Sequence, residues 1–209
     1  MEVELGGGRG FYGEIVVCEI GRGRQGRRIY FGGGKGCFSQ YWKTRVPSKV
    51  FAFIWKALLD RIPTRANLEI RNCLPPDIGS NCVWSGLVPE TTSRIFRHCD
   101  MARYIWKKLM NWLDLNFIMP PNLVIHWECW SGGPLNKKIR KGMRMIWQAT
   151  IWGISRARND CIFNAGVTRW DEVVEEIKVL SWRWLLGRFK VPACMFYEWE
   201  WSPYDCLMR

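Results

Sequence analysis

From Tyr41 onward the hydrophobic positions fall at helical spacing. Val50, Phe51, Ile54, Trp55, Leu58 and Leu59 follow Pro47, a residue suited to a first helical position, and predict one apolar face on a helix that stops before Pro63. Thr64 predicts the N-cap of a short second helix through Leu68 and Ile70, and Leu74-Pro75-Pro76-Asp77 predicts a loop. Asp100 is the expected N-cap of a helix carrying Ile105, Trp106, Leu109, Trp112 and Leu113, which ends before Pro120-Pro121. Pro134 is expected to start the longest helical pattern, with Ile139, Met143, Ile146, Trp147, Ile151, Ile154 and Ile162 on one side and a stop at Gly166. Thr168, with Asp171 three residues on, resembles a capping signal for a last helix through Val174, Ile177, Leu180, Trp184 and Leu185. There is no internal repeat, and the class predicted is mainly α.

The first residues break this pattern. Residues 1–37 are crowded with Gly and Arg and contain one short apolar run, Ile15 to Ile20, so a flexible segment with at most one weak strand is expected. Gly21-Arg-Gly23-Arg-Gln-Gly26 matches a dinucleotide fingerprint in letters alone. A working fingerprint opens a helix and is followed by an acid about 20 residues on. Here more glycines follow, and no acid comes before Asp60. Farther along, residues 116–133 read as a linker, 134–190 as a helical region and 191–209 as an aromatic, irregular tail.

Composition adds three constraints. The 14 Trp are too many to be left exposed, so most are expected in the core. The net charge of +12 favours polyanions, and RNA or DNA bound without sequence preference and in a salt-sensitive way is the expected partner. No apolar run approaches the roughly 18 residues that span a bilayer, and the start lacks the basic-then-apolar order of a signal peptide. No membrane partner is therefore expected, and the location expected is intracellular, nucleus or cytoplasm. In that reducing setting the nine irregularly spaced Cys are expected to be free thiols or metal ligands. The oligomeric state is left open.

Chemistry concentrates between Cys82 and Cys99. Tetrahedral zinc needs four N or S ligands, usually as two close pairs. The chain reads Cys82-Val-Trp-Ser85, then Glu90-Thr-Thr-Ser-Arg94-Ile-Phe-Arg-His98-Cys99. Serine is a poor zinc ligand, and arginine stays protonated. Cys82, Cys99 and His98 are the candidate ligands, and a set made of Cys73, Cys82, His98 and Cys99 is conceivable.

This stretch resembles the reverse transcriptase zinc-binding domain of plant LINE-type (non-LTR) retrotransposon polyproteins. The resemblance includes Trp42-Lys-Thr-Arg-Val-Pro47-Ser-Lys49-Val50 with Phe53-Ile-Trp55, and Asp60-Arg-Ile-Pro63-Thr64-Arg-Ala-Asn67-Leu68. It continues through Glu90-Thr91, Ile95-Phe96, Cys99 and Trp106. Ile151-Trp152 and Arg158-Asn159-Asp160-Cys-Ile-Phe163-Asn164 are similar to the segment that joins such a domain to a ribonuclease H region, so the likeness covers roughly residues 38 to 164. The family pattern is Cys-x2-Cys followed by His-x4-Cys; Ser85 stands at the second cysteine and Arg94 at the histidine. The resemblance therefore implies a degenerate copy: a reverse transcriptase zinc-binding-like domain over 38–115, a small helical body with an irregular zinc-finger-like loop, followed by one or two long amphipathic helices. It also implies no required cofactor, with zinc at low occupancy at most.

The cations nearest to aromatic rings are the expected nucleic-acid contacts: Lys107 and Lys108 beside Trp106, and the run Lys137, Lys138, Arg140, Lys141 and Arg144. Catalysis is not expected. Reverse transcriptase and ribonuclease H activities need clustered carboxylates to hold two metals. The chain has no Asp-Asp pair, and its one Tyr-Asp is Tyr204-Asp205. The function expected is a non-catalytic nucleic-acid-binding accessory domain, with a decayed relic or a domesticated protein-interaction module as alternatives.

Overall fold

In the computed structural model, which describes residues 16–20, 27–31, 46–116, 118–132, 136–164, 166–189 and 194–209, α1 is Ser48–Leu58. Pro47, with φ −54°, stands just before the helix rather than inside it. The apolar spacing buries Val50, Ile54 and Ala57, while Leu59 stays partly exposed past the C-terminus. Asp60 then turns the chain with φ 53°, a left-handed conformation that Asp tolerates better than most residues. Thr64 caps α2, Arg65–Ile70, by accepting the Asn67 amide at 3.1 Å, as expected from sequence.

A loop leads to a short π-helical turn, Arg94–His98, and then to α3, Asp100–Trp112. The segment expected to be a linker is not one throughout: α4, Leu123–Gly132, lies inside it and buries His126, Trp127, Cys129 and Trp130. His126, Glu128 and Ser131 interrupt its apolar residues without forming a single polar face, so it reads poorly as an amphipathic helix. Asn136 caps α5, Lys137–Phe163, accepting the Lys138 amide at 2.7 Å. α6 is Trp170–Phe189. The tail expected to be irregular forms two short helices, α7, Phe196–Trp201, and α8, Pro203–Met208.

α5 is the central element, packing against α1, the π-turn, α4, α6 and α8. Two glycines let it approach its neighbours closely. A Cβ on Gly142 would overlap the Leu207 side chain of α8, and one on Gly153 would lie 2.7 Å from Ile177 Cγ1 of α6. Aromatic rings fill the interior. Trp106, Trp127, Trp130, Trp147 and Trp199 are fully buried. Their polar edges are met: Trp106 Nε1 donates to Phe96 O, Trp130 Nε1 to Met143 O and Trp147 Nε1 to His126 Nδ1, at 2.6–2.7 Å. Among the described residues no helix is long and apolar enough to cross a membrane.

Near the two ends of the chain the structure adds to what local spacing predicts. Val16–Ile20 (β1) pairs antiparallel with Arg27–Phe31 (β2), so a second strand joins the one expected. It follows the glycine motif where a dinucleotide fingerprint requires a helix, and the fingerprint reading fails structurally as it did in sequence. Cys194 and Cys206, expected to be free or metal-bound, are joined by a disulfide with Cα atoms 6.1 Å apart, which pins α8 to the chain entering α7. Cys73, Cys82, Cys99 and Cys161 are free thiols.

Candidate metal centre

The loop before the π-turn is built as a short hairpin. Cys82 N donates to Val88 O at 2.8 Å, Glu90 N donates to Ser80 O at 2.8 Å, and Asn81 bridges to Pro89. Gly86 closes its tip: its amide donates to Cys82 O at 2.7 Å, and its φ of +65° is one that side chains with a Cβ seldom adopt. Cys82 begins this tip, and Cys99 stands at the junction of the π-turn and α3, with its amide on Arg94 O at 2.8 Å.

The two sulfurs meet at 3.7 Å, and both residues are buried. A Zn–S bond of about 2.3 Å places two sulfurs of a tetrahedral site about 3.8 Å apart. The pair is therefore spaced as two corners of such a site. The hydrogen bond between the two thiols, with the amides of Ser85 and Trp84, holds the Cys82 thiol well below the ordinary range against the opposing effect of burial. Cys99 is driven up, chiefly as the partner that keeps the shared proton.

The other two corners do not fit a metal. Ser85 Oγ is buried without a hydrogen-bond partner, and Arg94 Nε is likewise buried and unpartnered. Arg94 is close enough to favour charge on Cys99 electrostatically. A fixed cation thus faces the sulfurs from the position of the family's histidine, where it repels rather than ligates a second cation. The set with Cys73 and His98 does not form either. Arg97 Nη2 donates to His98 Nε2 at 2.7 Å, occupying the nitrogen a metal would need, and the exposed Cys73 turns its thiol to Arg71 O. Among the described residues, no group of three or more His, Cys, Asp or Glu side chains is placed to hold a metal ion.

What closes the loop is a buried ion pair. Glu90 is fully buried, and Arg158 Nη2 of α5 reaches its Oε1 at 2.6 Å. The same carboxylate accepts the Arg65 amide at the start of α2 at 3.0 Å and the Val83 amide of the loop at 3.4 Å, while Arg158 Nη2 also reaches Pro63 O at 3.3 Å. One carboxylate thereby ties the loop, α2 and α5. The sequence contains both residues within the resemblance, but nothing in their spacing of 68 positions announces the contact. Trp84 adds a further link from the loop, donating from Nε1 to Thr168 Oγ1 at 3.4 Å ahead of α6.

The expected nucleic-acid residues divide. Lys107 on α3 and Lys137 and Lys141 on α5 are exposed and make no ion pair among the described residues. Lys108 is already engaged by Asp171 at 3.2 Å and lies over the Tyr104 ring. Lys138 Nζ donates to the carbonyls of Met208 and Arg209 at 3.2 and 3.1 Å. Arg140 is half-buried, and Arg144 lies 5.9 Å over the Trp127 ring. Sequence reasoning overlooked Arg97 and Arg103, because an arginine in a helical stretch gives no sign of whether it has a partner.

The chain matches no curated protein and no solved structure. The family model described as zinc-binding in reverse transcriptase matches residues 33–106, the stretch that carries α1, α2, the paired sulfurs and the first half of α3.

Proposed function

We propose that this chain is a non-catalytic nucleic-acid-binding accessory domain, derived from a retrotransposon reverse transcriptase polyprotein of the plant LINE type, whose zinc site has been lost. The family match supports the origin. The observation that carries the loss is Arg94, which stands where the family pattern has a histidine and whose charge acts on Cys99. The nucleic-acid role rests on the surplus of positive charge together with cations that no carboxylate among the described residues neutralises, Lys107, Lys137 and Lys141 among them. Such a surface binds phosphate backbones by releasing counterions, weakly and without reading bases.

Fluorescence anisotropy with a labelled single-stranded RNA across a salt series tests the role. Binding whose logarithm falls steeply and linearly with log salt is the expected result. No binding at 20 to 50 mM salt, roughly, would remove it.

A second reading, a protein-interaction module, is favoured by one feature. Trp201 is 90% exposed and Tyr197 68% exposed on α7, beside a cavity that Glu198, Glu200 and Asp205 also line. Those acids disfavour a polyanion there. Binding that persists at high salt and depends on a protein partner would support this reading.

A further inference from the structure

Three cations without carboxylate partners flank a single imidazole at the junction of the π-turn and α3. Arg97 Nη2 lies 2.7 Å from His98 Nε2, and the adjacent Cys99 ties the backbones of the other two to the same junction, its amide donating to Arg94 O at 2.8 Å and its carbonyl accepting from Arg103 N at 2.9 Å. None of the three makes an ion pair among the described residues, although cations elsewhere on this chain find acids at Asp171, Glu172, Glu175 and Glu198. Asp100 is the sole acid between residues 94 and 107, and it is exposed and pairs with none of them.

Arg97 sets the chemistry of the cluster. It is fully buried, with Nη1 on Ser93 Oγ at 3.2 Å, Nη2 on His98 Nε2 at 2.7 Å and Nε unpartnered. Arginine has no acceptor, so it must donate to His98 Nε2, and the ring proton is left on Nδ1. His98 therefore presents an N–H donor whose partner the described residues do not supply. Arg94, with its buried and unpartnered Nε, and the exposed Arg103 present further donors. Convergent N–H donors and positive charge with no acceptor of their own call for an anion with several oxygens, and guanidinium forks match phosphate oxygens.

We propose that Arg94, His98 and Arg103 form a binding site for a phosphate group of a nucleic-acid backbone, with the buried Arg97 as the positioning residue that fixes the His98 tautomer. It deepens the nucleic-acid reading and rests on it for the source of the phosphate. A site that no longer suits a metal cation would then serve a ligand of opposite charge.

Two measurements separate this site from the reading it rests on. In the RNA anisotropy series, R94Q/R103Q should lower the salt slope by about 0.7, the contribution of the one phosphate of a single strand that is no longer neutralised. K56Q/R71Q, an equal reduction of charge at exposed positions elsewhere, should leave the slope unchanged. If wild-type protein binds RNA and R94Q/R103Q binds with the same slope, the site is wrong and the broader reading stands. R103Q alone, on the exposed face of α3, provides the same comparison with the buried part of the cluster intact.

In the second measurement inorganic phosphate is the probe, followed by thermal shift. Wild-type protein should gain a degree or more in Tm at tens of mM phosphate relative to chloride of equal ionic strength, and R94Q/R103Q should not. Equal shifts in both proteins would overturn the site whatever RNA does. Stabilisation of wild type alone, without RNA binding, would keep an anion site and discard its nucleic-acid source. Ring 15N shifts should place the His98 proton on Nδ1 in wild type and return it largely to Nε2 in R97M. An unchanged tautomer in R97M would overturn the positioning role.

Discussion

Arg94, Glu90 and His126 are three single side chains whose surroundings give them consequences beyond their residue type. With Cys82 and Cys99 already 3.7 Å apart, S85C/R94H supplies the two residue types that the family pattern has at these positions. The double variant is expected to take up one equivalent of zinc by elemental analysis and to gain thermal stability, whereas wild type should carry well under one. Glu90 is expected to matter more than any exposed charge. E90Q leaves Arg158 buried without its counter-charge and should cost about 3–5 kcal/mol in urea denaturation, with E90L/R158M recovering most of that loss.

His126 gives the protein a pH dependence. It is wholly buried against Trp106, Trp130 and Trp147, and burial, with help from Arg97, pushes its pKa down to about 3. Below its ordinary pKa of about 6.5 the unfolded chain takes up a proton that the folded chain refuses, so stability is full above that value and falls as the pH drops toward 3. Urea midpoints at pH 6.5 and 5 should differ by the equivalent of about 2 kcal/mol. H126Q should flatten the part of that slope that His126 carries, the remainder coming from Cys82 and His98, whose pKa values are lowered in the folded chain and act in the same sense. A slope unchanged in H126Q would place the effect elsewhere.

At the scale of elements, α5 decides how the pieces fit. Its amphipathic period was readable, and so were the Thr64 cap and the face of α1, because each depends on residues a few positions apart. Its two close approaches were not. Gly142 and Gly153 look like weaknesses in a helix, each costing about 1 kcal/mol relative to alanine, yet they admit Leu207 and Ile177. G153V should force α5 from α6 and destabilise the protein by about 1–3 kcal/mol, seen as a lower Tm with unchanged helical circular dichroism at low temperature. α4 escaped sequence reasoning for a related reason: with His126 and Ser131 buried beside its apolar residues, it has no single polar stripe to betray its period.

For the whole molecule, the family match ends at residue 106 but the packing does not. Arg158 on α5 anchors the loop of the matched region, and Phe53 of α1 meets Trp152 of α5 edge to face, with centroids 5.5 Å apart. The C-terminal helices are held differently, through the Cys194–Cys206 disulfide and the Trp199 indole on Lys178 O. A closed loop of this length contributes about 3 kcal/mol by the chain-entropy argument. C194S/C206S should therefore leave α1 to α6 folded while making the C-terminal helices the first site of limited proteolysis; equal resistance of the variant and the wild type would show the crosslink to be dispensable.

The sequence by itself determined the mainly helical class, the order of most helices, the fate of most tryptophans and the substitution of two metal ligands. All of these follow from residue type and local spacing, which a linear chain carries in full. The tertiary structure alone decided that Cys82 and Cys99 remain at bonding distance for a metal the rest of the site refuses. It alone decided that Glu90 finds Arg158, and that Arg94, Arg97 and Arg103 find no acid among the described residues. A charge's energy depends on what surrounds it within about an 8–10 Å screening length, and only the folded chain assembles those surroundings.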